Sequence, residues 1–155
     1  MLSVAIGTLM VATGCQGGNG GTALTKDQYV AQANRICADA NRRIGALPAP
    51  DIASPTATPD TIAEVVRIQR GALTDLRDLV PPDTDVPAVK EWLGLVQVAL
   101  DRADDARRAL ERDNREAVNL ANAEGRTAQQ QADELGRLYG ATQCAEEQLE
   151  PTTTT

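Results

Sequence analysis

The scarcity of aromatic residues limits the folds that this sequence can form. It contains one Trp, two Tyr and no Phe, while 42% of its residues are hydrophobic. Its core must therefore come from Leu, Val, Ile and a large amount of Ala. Sheets draw on β-branched and aromatic residues, whereas small side chains let helices approach closely. We predict an all-α fold, and 155 residues suffice for one domain with a modest core.

The charge of the chain argues against a nucleic-acid partner. The formal net charge is -7 and the pI about 4.6. Phosphate binding requires clustered Lys and Arg, whereas here acidic and basic residues are mixed. Several opposite charges stand four positions apart, as Asp104 and Arg108 do. This spacing is typical of solvated helix faces, and we predict that no nucleic acid binds.

The first fourteen residues have the pattern of a signal peptide. The apolar run LSVAIGTLMVA is about eleven residues long, which is too short to span a bilayer that needs roughly twenty. It leads into ATGC, three small residues followed by the thiol of Cys15. This resembles the lipobox of bacterial lipoproteins. The resemblance implies that Cys15 carries a diacylglycerol group with fatty acids such as palmitate, and that it becomes the N-terminus of the mature protein.

Two features depart from the lipobox pattern. Ala12 stands where a Leu is typical, and no Lys or Arg precedes the apolar run, so we expect a different or more upstream translation start. Ordinary signal-peptidase cleavage before Cys15 is the alternative and would give a secreted protein. Residues 16–24 are Gly-rich and uncharged, which predicts a flexible tether. A phosphate loop would instead require a Lys-Ser/Thr ending, which is not present.

Removing Cys15 from the count leaves two of the three cysteines, Cys37 and Cys144. The oxidising space outside the cytoplasm would favour a disulfide between them. It would close a loop of about 100 residues, for which the chain-entropy model gives at most about 4–5 kcal/mol of stabilisation. Two buried free thiols are the alternative. A catalytic Cys would need a partner base, and the sequence contains no His.

Four helices are predicted from capping signals and apolar spacing. Thr25 and Gln28 form a capping box that begins the first helix. The run 48–59 contains four Pro and predicts an extended linker. Asp60 is the expected cap of the second helix, and the double Pro that begins at Pro81 stops it.

The second half of the chain predicts a long helical hairpin. Pro87 begins the third helix, whose run 92–100 is apolar almost all round and therefore predicts a central position. Asp113 begins a fourth helix that runs to about Tyr139, and Gly140 ends it. The predicted inner stripe of this helix consists of Val118, Ala121, Gly125, Ala128, Ala132, Leu135 and Leu138.

These segments together resemble the small secreted or lipid-anchored helical proteins that are common in actinobacteria. The resemblance rests on YVAQANRICADANRRI, the LVPP segment and LGRLYGATQC, with an early Ile-Cys and a late Cys after Gly. It implies the disulfide and the all-helical fold, and it implies no activity. The expected organisation is a signal peptide (1–14), a lipidated Cys15 and tether (15–24), a four-helix bundle (25–147) and a disordered tail (148–155).

The residue types favour a binding role over catalysis. Without His, and with only two Ser in the leader and the linker, the usual triads and His-ligated zinc are excluded. The carboxylates Asp101, Asp104 and Asp105 lie among Arg residues and predict a solvated face rather than a paired-acid hydrolase. We predict no enzyme, cofactor or metal.

The predicted function is that of a lipid-anchored binding module on the extracytoplasmic face of the cell membrane, whose partner is an envelope protein or a wall component. Trp92 and Leu95 are the candidate interaction surface, because a large apolar residue left exposed marks an interface. Burial in the core is the more expected fate of Trp92. The alternative function is a carrier that holds an apolar ligand between the helices, in a cavity of a few hundred cubic ångströms.

Overall fold

The computed structural model describes residues 22–48 and 58–145. Over these ranges the chain is helical and contains no strand, which confirms the all-α prediction. The elements are α1 (Lys26–Gly45), α2 (Pro59–Asp78), α3 (Val86–Glu111), α4 (Arg115–Tyr139) and a short 3-10 turn (Thr142–Cys144). The predicted signal peptide, Cys15, most of the Pro-rich linker and the tail lie outside the described residues.

The N-terminal cap of α1 lies where the sequence predicted it, whereas those of α2 and α4 differ from the prediction by one or two residues. The capping box of Thr25 and Gln28 is present, with both hydrogen bonds made. Thr58, not Asp60, caps α2, because Pro59 takes the first helical position, where its fixed φ and missing donor fit. Asn114, not Asp113, caps α4, and Asp113 adopts the left-handed backbone with φ 53°.

Consecutive helices pack against one another in antiparallel order, and α3 lies between α2 and α4. The predicted central position of α3 is therefore confirmed. Its buried face includes Trp92, Leu93 and Leu100. This stretch has contacts on more than one side, toward α2 and α4, while Gly94 and Val98 on its outer face are exposed. α1 contacts the rest of the bundle mainly through α2 and the 3-10 turn.

The fully buried residues of α4 are mostly small, and Leu138 is not among them. These buried residues include Ala121, Ala128, Ala132 and Gly136. Leu138 is 75% exposed, which makes its predicted inward position wrong. The reason is helical geometry, since Leu138 lies two residues, or about 200°, around the helix from buried Gly136. Small side chains let α3 and α4 approach, and the larger one is left outside.

The chain after α4 turns back and is fixed to α1. Gly140 ends α4 in the left-handed conformation, with φ 102°. The amide of Asn34 donates to the Gly140 carbonyl at 3.1 Å and accepts from the Gln143 backbone N–H at 2.9 Å. A disulfide joins Cys37 to Cys144, as predicted. We call residues 140–144 the C-terminal strap.

No helix within residues 22–48 and 58–145 combines the length and the hydropathy that crossing a membrane would require.

Candidate functional site

One end of the bundle brings together four helix termini and the point at which the chain enters the fold. The backbone N–H of Leu24, just before α1, donates to the carbonyl of Val80, just after α2, at 2.9 Å. The hydroxyl of Tyr139 at the end of α4 donates to Asp85 Oδ2 at the start of α3, also at 2.9 Å. Lys26 Nζ lies 4.7 Å from the centroid of the Tyr139 ring. We call this end, which the segment from Cys15 enters, the tether end.

All three aromatic residues of the sequence meet at the tether end. Tyr29 and Tyr139 stand edge to face with ring centroids 5.7 Å apart, and Trp92 and Tyr139 lie 6.5 Å apart. Gly136 permits this arrangement, because a Cβ atom added there would lie 3.2 Å from Trp92 Nε1. We call Tyr29, Trp92 and Tyr139 the aromatic cluster. Edge-to-face pairs add to the energy of area burial, so the cluster is a rigid platform.

Burial changes the acidity of both tyrosines in the cluster. Tyr29 is fully buried, its hydroxyl has no hydrogen-bond partner among the described residues, and burial raises its pKa to about 12. For Tyr139, burial is the first cause of a raised pKa, and the hydrogen bond to Asp85 adds to it. Both phenols therefore stay protonated at neutral pH, and neither is suited to act as a general base.

An apolar groove lies beside the aromatic cluster, between the start of α3 and the end of α4. It has a volume of about 160 Å³ and is lined by Ala88, Trp92, Leu135, Leu138 and Tyr139. Trp92 is only 2% exposed, whereas Leu138 is the most exposed large apolar side chain of the described residues. The groove is therefore shallow, and it is smaller than the roughly 300–1,000 Å³ of pockets that enclose a drug-sized ligand.

The two residues proposed as an interaction surface do not form an exposed patch. Trp92 is buried, and Leu95 is half-buried against the core. Trp92 lines the groove, and Leu95 does not. The exposed apolar side chain beside the groove is that of Leu138 instead. The spacing of small residues along α4 could have revealed it, because the row from Ala121 to Gly136 leaves Leu138 on the opposite side.

The three carboxylates of α3 lie away from the groove and are paired with arginines. Asp101 Oδ1 lies 2.7 Å from Arg70 Nη2 on α2. Asp104 accepts a hydrogen bond from Arg107, which lowers the pKa of this carboxyl, and the charge of Arg108 lowers it further. An acid whose pKa is lowered is a poor proton donor near neutral pH.

Asp105, the third carboxylate, pairs with Arg102 at 2.7 Å. Within the described ranges, no three His, Cys, Asp or Glu residues are grouped so that they could hold a metal ion.

No protein-family model, curated protein or solved structure matches this chain. The resemblance to small actinobacterial helical proteins therefore stays a prediction from the residues. Function has to be inferred from the chemistry of the tether end itself.

Proposed function

We propose that the protein is a non-catalytic, lipid-anchored module of the bacterial cell envelope that binds an apolar partner at its tether end. The observation that carries the binding role is the exposed Leu138 beside the groove. A leucine that is 75% exposed next to an apolar depression loses its contact with water when a partner covers it, which favours binding. The aromatic cluster beneath it keeps the surface preformed, so that few side chains have to become ordered when a partner binds.

The proposed location is supported by how the cysteines are used. The sequence has three cysteines, and the disulfide of Cys37 with Cys144 leaves Cys15 for another role. Disulfides are typical of oxidising compartments, which is consistent with export. The small residues before Cys15 and the apolar run ahead of them supply the lipidation pattern. An envelope protein, a wall component or the membrane surface would then lie within reach of the groove.

The anchor is tested by expressing the full chain in a bacterium that processes lipoproteins and measuring the mass of the N-terminal peptide. We expect a mature chain that begins at a diacylglyceryl-modified Cys15 and sediments with membranes. The matched control is Cys15→Ser, which should lose both the added mass and the membrane association. A full-length chain in the cytosol, with its leader intact and with Cys37 and Cys144 as free thiols, would overturn the proposal.

The binding face is tested by placing a photo-crosslinking amino acid at Leu138 and, as a control, at Leu120. Both side chains are exposed and both lie on α4, at opposite ends of the bundle. In intact cells we expect adducts from position 138 and few from position 120. Equal labelling at both positions would show that the groove does not select a partner.

The alternative of a carrier that encloses an apolar ligand is less well supported. The groove lies at one end of the bundle, and its volume of about 160 Å³ is below that of typical enclosed ligand sites. The described core is occupied by Leu, Val, Trp and Ala side chains.

A further inference from the structure

We infer that the groove is a membrane-docking surface, whose occupant is an acyl chain of the bilayer that holds the anchor. This inference rests on the proposed function, because it requires a lipid on Cys15. It names the apolar partner as the bilayer itself and orients the bundle with the tether end against the membrane.

The first argument is the reach of the chain. About nine residues separate Cys15 from Leu24, and such a segment spans at most about 30 Å even when fully extended. Leu24 is fixed at the tether end by its hydrogen bond to Val80. An anchored Cys15 would therefore hold the groove close to the lipid headgroups, at a high effective concentration of acyl chains. A soluble protein partner would gain no such advantage.

The second argument is the apolar rim of the groove, which consists of Ala88 and Leu138. Both are exposed, and both line the groove. A docked bilayer would cover this rim and fill the groove with hydrocarbon, which removes apolar surface from water. The groove is open at the surface and is too small to enclose a whole lipid, so an acyl chain that enters from outside fits it better than a free ligand.

The third argument is the distribution of lysines. The sequence has two, Lys26 and Lys90, near the starts of α1 and α3 at the tether end, and both are exposed. A lysine can lay its methylene stem on an apolar contact while the ammonium stays at the polar interface.

Acidic residues are also present near this end, on the same and neighbouring turns. They include Asp27, Asp83, Asp85, Glu91 and Glu134. Docking therefore depends on the apolar contact and not on attraction to anionic lipids.

Trp92 provides a direct test, because it is the single tryptophan of the sequence and lines the groove. The lipidated full-length protein is reconstituted into phosphatidylcholine vesicles with brominated acyl chains, which quench tryptophan only at close range. We expect strong quenching of Trp92 relative to vesicles without bromine. Phosphatidylcholine carries no net charge, so attraction to an anionic surface cannot produce this result.

The test variant is Leu138→Glu and the matched control is Leu120→Glu. Both leucines are exposed on α4, so neither substitution disturbs the core, and circular dichroism verifies this. Replacing a leucine at an apolar contact by a carboxylate should lower the ratio of docked to undocked protein about tenfold or more, the equivalent of burying one such side chain. Leu120→Glu should leave the quenching unchanged.

The outcomes separate this inference from the proposed function. If the protein floats with the vesicles and Trp92 is not quenched, the docking inference is wrong, while the proposal of a lipid anchor on Cys15 is retained. The groove would then serve a partner other than the bilayer. If the chain carries no lipid and does not float, the proposed function itself fails.

Discussion

The two ends of the bundle are stabilised in different ways. The tether end contains the aromatic cluster and, a few turns along α1, the disulfide that holds the C-terminal strap. The opposite end, which we call the far end, is the tip of the α3–α4 hairpin at residues 102–124. Its buried side chains are Ala106, Ala109 and Ala121. Around them lie exposed ion pairs, such as that of Arg102 with Glu124 at 3.1 Å.

This difference predicts where the fold is strong. A buried aromatic side chain removes about 150–250 Å² from water, and alanine removes far less. Exposed ion pairs contribute about 0–1 kcal/mol each. We therefore expect the far end to open locally while the tether end persists, since local stability follows apolar contact density. A firm tether end is also what a docking surface requires.

The largest expected effect comes from the disulfide. Replacing both partners, Cys37→Ala with Cys144→Ala, should lower the free energy of unfolding by up to about 4–5 kcal/mol, since the unfolded chain regains a long loop. The sequence separation is 107 residues. The measurement is a urea titration followed by circular dichroism. The control is the unmodified protein with and without reductant, which should show the same difference. An unchanged midpoint would mean that the strap adds nothing.

The contact of Gly136 with Trp92 should be sensitive to side-chain size. Gly136→Leu would place a side chain against the indole ring, since even a Cβ atom lies 3.2 Å from Nε1, and overpacking costs about 1–3 kcal/mol. The control is Gly94→Ala on the exposed face of α3, where nothing lies within 4 Å. It should stabilise the helix by about 0.5–1 kcal/mol. Urea midpoints and Trp92 fluorescence measure both. If Gly136→Leu were neutral, the close packing of α4 on Trp92 would be disproved.

The buried Tyr29 should make stability fall at high pH. Burial raises its pKa from 10.0 to about 12, so above pH 10 the unfolded chain loses this proton while the native protein keeps it. Stability should therefore decrease by up to about 1.4 kcal/mol per pH unit between these values. Tyr29→Phe should remove this share of the decrease. At neutral pH it should cost little, because the lost hydroxyl has no partner within the described part of the chain.

Urea titrations at pH 7 and pH 11 compare the two proteins. If both lose the same stability, the proton of Tyr29 is not responsible. Tyr139 remains in the variant and is expected to contribute a decrease of its own, since its pKa is raised as well.

The fold could be predicted because its determinants are local. The Thr25 capping box, the double Pro that begins at Pro81 and Gly140 each act on the backbone within a few residues, and each lies at or just beyond a helix terminus in the structure. The pair Cys37 and Cys144 was predicted by assigning Cys15 to the lipobox, and the structure contains this disulfide. The cap of α4 was predicted one residue too early, at Asp113 instead of Asn114. Both residue types are common caps, and the sequence alone does not show that Asp113 adopts the left-handed backbone.

The candidate site could not be predicted because it depends on which helix faces meet. Trp92 belongs to a run that is apolar on every side, so the sequence does not show which part is covered. The inward position of Leu138 was wrong for a similar reason, since large apolar residues are usually buried and here the small ones are. Predicting the groove would have required the burial of Trp92, the exposure of Leu138 and the contact between α3 and α4 near Tyr139.

The smallest expected effect lies at the far end and tests the comparison most directly. Arg102 on α3 pairs with Glu124 on α4, and both side chains are more than one third exposed. A double-mutant cycle with Arg102→Ala and Glu124→Ala should give a coupling energy of about 0.2–1 kcal/mol that decreases as salt is added. Arg102 also pairs with Asp105, so the cycle, unlike the single variants, isolates the contact between the helices. A coupling above about 2 kcal/mol would show that charge, and not only Ala packing, holds the far end, and the contrast between the two ends would be lost.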